Sequence, residues 1–179
     1  LDKKLRDSMQ LEIKRIHKEL QATILYVTHD QEEALAMSDR ICLMNNGGIE
    51  QLDTPAELYF RPKTVFAADF LGGANMLACK LAAREGGDVV LTGPLEKPFR
   101  AEAAGSSIAP EESAFFMVRP EHIRLLEQGE QIDNAVEATI EHVVMNGPLS
   151  RLYTRLDDGT PLQAAVLTVK RHGSLQAGG

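Results

Sequence analysis

The chain has 179 residues, 44% of them hydrophobic and 25% charged, with a formal net charge of −7, which suits one or two soluble domains of ordinary composition. The acidic balance, the lack of a basic cluster and an aromatic content of 5% exclude a nucleic-acid surface built on phosphate neutralisation or base stacking. No apolar run approaches the roughly 18 residues of a membrane-spanning helix. The two cysteines, Cys42 and Cys79, lie far apart without metal-ligand spacing, as in a reduced cytoplasmic protein.

Leu5, Met9, Ile13, Ile16 and Leu20 recur at spacings of three and four, so the opening segment is predicted to be an amphipathic helix. Its charged residues fall mainly on the other side, as a solvated face does. Asp2 stands where it can cap this helix. The next stretch, Thr23 to Asp39, organises the first half. Ile24-Leu25-Tyr26-Val27 is a β-branched and aromatic run of the kind that forms a buried strand. It stops at Thr28-His29-Asp30, and a helical pattern begins at once, with Asp30 as N-cap and Glu33 three residues later in a capping-box-like spacing. The expectation is a histidine at the carboxyl end of a buried strand, just before a helix, on the edge where open α/β sheets bind ligands. The competing reading of His29 is a histidine that merely ends a strand.

Arg40 to Asn45 reads as a second buried strand, in which Cys42 would act as a small hydrophobe. Asn46-Gly47-Gly48 is a hairpin turn, and Ile49 to Leu52 completes the pair. Thr54 caps a helix with Pro55 at its first position. A second short helix spans about Lys63 to Phe70, and Gly72-Gly73 ends it. The domain boundary is placed there, dividing the chain into residues 1–73 and 74–179.

Beyond Ala74 the periodicity becomes that of short strands. The predicted strands are Met76–Leu81, Asp88–Thr92, Phe115–Val118, Ile123–Leu126, Val136–Val144, Arg151–Leu156 and Leu162–Val169, punctuated by Gly86-Gly87, Gly93-Pro94, Asn146-Gly147-Pro148 and Asp158-Gly159. Ala101 to Glu112 is small and polar and reads as a loop. This spacing predicts an all-β barrel or sandwich. The first residues, Leu-Asp-Lys-Lys with no initiator Met, and the closing Gly178-Gly179 lead to the expectation that both ends are cut from a longer protein.

Four ordered segments carry a resemblance. The string Val27-Thr28-His29-Asp30-Gln31, with Glu33-Ala34 and Asp39-Arg40-Ile41, resembles the switch (H-loop) segment of ATP-binding cassette ATPases of bacterial importers. Leu1-Asp2 with Lys3-Lys4-Leu5-Arg6 resembles the end of the D-loop. Met44 to Gln51 with Thr54 to Tyr59 resembles the last strands and helix of the same domain, and Phe66 to Gly72 with Asn75 its exit segment. In the second half, Val118-Arg119-Pro120-Glu121-His122-Ile123 and Gly159-Thr160-Pro161-Leu162 are similar to the OB-like TOBE domain that follows many such ATPase domains.

The resemblance implies an α/β remainder of a P-loop ATPase domain over 1–73 and an all-β OB-like (TOBE) barrel over 74–179, regulatory in role. It implies His29 as the switch histidine at the γ-phosphate and Asp2 as a D-loop residue at a dimer seam between two ATP sites. It also implies ATP and Mg²⁺ as ligands of the full-length protein and a second copy of itself as partner. It further implies transmembrane permease subunits and, through them, a periplasmic binding protein, with a place on the inner face of the bacterial inner membrane. The second half looks most like the β domains of polyamine, iron or sugar (maltose-type) importers, and the Asp157 to Leu162 region leans toward polyamine. Read from the residues, this chain has no G-x-x-x-x-G-K-[ST] phosphate loop, no strand followed by Asp-Glu and no Ser-Gly-Gly-Gln. It is therefore expected to bind no nucleotide and to be inactive alone. The five histidines lack metal-ligand spacing, no G-x-S-x-G elbow is present, and Asp157-Asp158 is a turn. Arg119 and Glu121 are expected at an exposed corner. A stand-alone binding or regulatory β module is the competing class.

Overall fold

The computed structural model describes residues 3–103, 109, 112–127 and 129–168, which form parts of two compact units, Leu1–Gly72 and Gly73–Gly179.

The first unit opens with helix α1 (Lys3–Leu20). Residues 22–28 take no regular secondary structure, and α2 spans Gln31–Met37. The buried strand expected at Ile24–Val27 is not formed. Leu25 is 90% and Val27 87% exposed. The reason is physical: a strand exists only through the ladder it makes with a neighbour, and β-propensity alone does not hold one. No described residue offers that ladder here.

The remainder of the unit is regular. Strands β1 (Ile41–Asn45) and β2 (Gly48–Asp53) pair antiparallel as a hairpin. Asn46 and Gly47 both take positive φ, 49° and 79°, the backbone that this two-residue turn demands. Only Ile41 and Leu43 of β1 turn inward, whereas Cys42 and Met44 face solvent. The strand is therefore one-sided rather than fully buried. Helices α3 (Pro55–Phe60) and α4 (Val65–Phe70) are capped by Thr54 and Thr64, whose hydroxyls accept the Glu57 and Ala67 N–H groups. Leu58, Ala67 and Leu71 close over Ile41 and Leu43, with Leu35, Phe66 and Phe70 around them. Gln51 stitches hairpin to helices: it is 3% exposed, donates to the Arg61 carbonyl and accepts the Lys63 N–H at 2.8 Å.

The second unit holds two antiparallel sheets. One has the order β5 (Pro98–Glu102), β4 (Asp88–Thr92), β3 (Asn75–Glu85), β6 (Ser113–Val118); the other runs β7 (Thr139–Asn146), β8 (Leu149–Arg155), β9 (Pro161–Leu167). They share a core: Leu77, Cys79, Leu81, Val89, Leu91 and Phe99 from the first sheet meet Leu156 and Leu162. Alternation along β3 turns Leu77, Cys79 and Leu81 into it. Among the described residues no strand ladder joins the two sheets. An asparagine side chain spans the gap instead. Asn75 Nδ2 donates to the Gln163 carbonyl at 2.8 Å, and its Oδ1 accepts the Gln163 N–H at 2.7 Å. That amide reproduces one step of a β-ladder between β3 and β9.

Three strand expectations are corrected. Residues 98–102 form β5, although the small, polar run from Ala101 reads as a loop. Phe99 is the one large apolar residue in it, and Pro98 sits at the first position of an edge strand, where proline is tolerated. Ile123–Leu126 is no strand; it comes after a 3₁₀ turn at Pro120–His122, and Ile123 packs into both apolar clusters of the unit. The strand expected from Val136 starts at Thr139. Arg119 is also corrected. It is 1% exposed and among the largest fully buried side chains, while Glu121 is exposed. The charge of the side chain alone does not place it outside, since the fold buries the guanidinium together with its stem.

Candidate functional site

His29 sits in a bend between the irregular segment and α2 and is exposed. Its two neighbours are held firmly. Asp30 caps α2: its Oδ1 accepts the N–H groups of Glu32 at 2.9 Å and Glu33 at 3.1 Å, and its Oδ2 accepts from Arg6 of α1 at 3.1 Å. The cap follows from sequence, since aspartate at this position satisfies amides that the first turn leaves unpaired. Thr28 Oγ1 accepts the Asp30 N–H at 2.9 Å.

The expected capping box is only half built. Glu33 does not reach back to its cap; its Oε2 accepts the hydroxyls of Tyr26 at 2.9 Å and Thr28 at 2.8 Å. The two hydroxyls thus converge on one carboxylate oxygen. That carboxylate is the first cause raising the Tyr26 phenol above its ordinary value, helped by desolvation and by Asp30. Sequence spacing held no hint of this role, because the bonds span five and seven residues across a helix start. The Arg6 pairing was likewise missed.

Asp2 lies outside the described residues, so its relation to His29 is left as an expectation. No group of three or more His, Cys, Asp or Glu among the described residues could hold a metal ion. No described helix is long and apolar enough to cross a membrane. In the second unit the conspicuous polar feature is buried Arg119, whose pKa burial pulls below the ordinary arginine value.

A TOBE domain model matches residues 116–178. The match begins within β6, although β3, β4 and β5 share the same core. The second unit therefore contains a TOBE domain, and its antiparallel sheets suit an OB-like fold. Over 92% of its length the chain is 39% identical to the spermidine/putrescine import ATP-binding protein PotA of Nitratidesulfovibrio vulgaris, covering 45% of that protein. It is 43% identical over 92% of its length to the PotA of Rubrobacter xylanophilus, covering 43% of it. It is 41% identical over 90% of its length to the sn-glycerol-3-phosphate import ATP-binding protein UgpC of Brucella abortus, again covering 43%. Over about nine-tenths of its length the chain is similar to ATP-binding subunits of ABC importers. It spans less than half the length of these relatives.

Proposed function

We propose that the full-length subunit hydrolyses ATP to drive solute uptake, and that His29 is its switch histidine. The similarity to ATP-binding subunits supports the reading, since it runs over about nine-tenths of a chain that carries Thr28-His29-Asp30. Phosphoryl transfer gathers charge on the oxygens of the transferring group, and a pre-placed imidazole N–H donates to one of them. A donor set there by a capped helix needs no reorganisation. The same bond reports whether the γ-phosphate is present, which is how a switch responds to its nucleotide.

The described residues do not fit a whole nucleotide site. They hold no phosphate loop and no metal-binding cluster, so the phosphates and Mg²⁺ would be held by residues outside this chain, and the chain alone would bind and hydrolyse no ATP. Residues 1–73 are then the end of a P-loop ATPase domain, with Asp2 of the D-loop at the seam of a homodimer. The domain from 74 onward is regulatory. Permease subunits and a periplasmic binding protein are the further partners, at the inner face of the inner membrane. Relatives named for polyamine and for glycerol-phosphate import match equally well, which supports solute choice by those partners rather than by this chain. A stand-alone β module is disfavoured, since the similarity runs through both units. The test is the coding sequence contiguous with Leu1 together with the ATPase activity of its product. A G-x-x-x-x-G-K-[ST] loop and MgATP hydrolysis are expected, and a product without either overturns the reading.

A further inference from the structure

Resting on the assignment of His29 as the switch histidine, we propose that Glu33 is a positioning residue for His29, clamping the chain before the histidine through the hydroxyls of Tyr26 and Thr28. Four observations converge. Glu33 is the third residue of α2, so its backbone is fixed by the helix and by the Asp30 cap. One of its carboxylate oxygens accepts both hydroxyls, at 2.9 and 2.8 Å. Thr28 passes the restraint on by accepting the Asp30 N–H at 2.9 Å. Asp30 is tied in turn to Arg6 of α1. The residues on either side of His29 are thus both anchored, one to Glu33 and one to the helix cap, while the imidazole stays exposed.

The clamp has a physical purpose. Residues 22–28 make no strand among the described residues, and the hydrogen bonds from Tyr26 and Thr28 to Glu33 are what the structure shows restraining their end. Hydrogen bonds to an ionised acceptor are about twice as strong as neutral ones, and two on one oxygen restrain the segment at points two residues apart. Positioning matters to the rate because a donor displaced by about 1 Å can cost roughly a hundredfold. Glu33 itself touches no phosphate in this scheme; it acts through His29.

The clamp has an optical signature. The charged groups facing the Tyr26 phenol are Glu33 of α2 and its cap Asp30, which Arg6 of α1 engages. Tyrosinate absorbance of the 179-residue chain is titrated, with Tyr26→Phe assigning the signal among the three tyrosines. The phenol is expected to titrate above its ordinary value of 10.0. Glu33→Ala should return it to the ordinary range and Glu33→Gln should lower it partway. A Tyr26 that titrates normally in the wild type, or is unmoved by Glu33→Ala, overturns the clamp.

The kinetic arm uses the full-length subunit. Glu33→Ala should lower kcat by about tenfold with KM for ATP unchanged, and Glu33→Gln should restore part of the loss. In a His29→Ala background Glu33→Ala should cost nothing more. An equal further loss there means Glu33 acts independently of His29 and overturns the proposal. If His29→Ala alone keeps the wild-type rate, the assignment of His29 fails, and the titration still judges the clamp separately.

Discussion

Replacing Asn75 by alanine should weaken the second unit by about 2–3 kcal/mol. Asn75 is 7% exposed, and its side chain makes three hydrogen bonds: Nδ2 to the carbonyls of Val118 at 3.2 Å and Gln163 at 2.8 Å, and Oδ1 from the Gln163 N–H at 2.7 Å. Alanine leaves those backbone groups without that partner, at about 1–3 kcal/mol for each group that water cannot reach. Gln163 has an exposed side chain, so water recovers part of the loss, and the sum stays near the lower end. For a unit of this size about 2–3 kcal/mol corresponds to a fall in Tm of roughly 10 °C. Circular-dichroism melting and urea titration measure it. Asn75→Asp sharpens the test. It keeps the shape and the acceptor for Gln163 N–H but turns a carboxylate toward two carbonyl oxygens. Its folded-state pKa should therefore lie above the ordinary value of about 3.9. The destabilisation is then present at neutral pH and shrinks as pH falls through that raised pKa, because a protonated carboxyl regains one donor. A loss under about 0.5 kcal/mol for Asn75→Ala, or no acid recovery for Asn75→Asp, would refute the bridging role.

Gly93→Ala should cost about 1–3 kcal/mol by overpacking, since a Cβ there would stand 2.6 Å from Phe99 Cε2 and 2.8 Å from Cys79 Sγ, both in the core; a melt unchanged from wild type contradicts the packing. The Glu141 carboxyl is held below its ordinary value of 4.5, first by its hydrogen bond from Arg155. The stability it adds is complete above pH 4.5 and is lost as pH falls through the lower folded-state value. Glu141→Gln should flatten that part of the acid limb, and an unchanged limb counts against the pair. The apolar side chains exposed in the first unit, Leu5, Met9 and Ile16 on α1 with Ile24, Leu25 and Val27 beyond it, should drive concentration-dependent self-association of this chain. A monodisperse monomer in light scattering would contradict that.

Features that a few neighbouring residues settle were readable in the sequence. Asn46-Gly47 needs positive φ at both positions, Thr54 and Pro55 begin a helix by their own chemistry, and Asp30 caps α2 for the same reason. Features that depend on distant chain were not readable. Ile24–Val27 has the composition of a strand, yet a strand needs a partner that no local pattern supplies. β5 is carried by one phenylalanine and by pairing with β4, so its own residues hold little signal. Arg119 is misplaced by a reading from charge, because the surrounding fold buries the whole side chain and no local pattern announces that. At the candidate site the histidine and its cap were legible from Thr28-His29-Asp30, whereas the Glu33 clamp and the Arg6 tie join elements through side chains of no fixed spacing.

The role of His29 is tested most directly by His29→Ala in the full-length subunit, with ATP hydrolysis and nucleotide binding measured side by side. A switch histidine predicts a loss of about a hundredfold or more in kcat, the order seen when one donor to developing charge is removed. The nucleotide dissociation constant should stay within about twofold, because the ground-state grip on the phosphates belongs to a phosphate loop and not to this histidine. Hydrolysis within about threefold of wild type would contradict the assignment and return His29 to the role of a residue that merely precedes a helix cap.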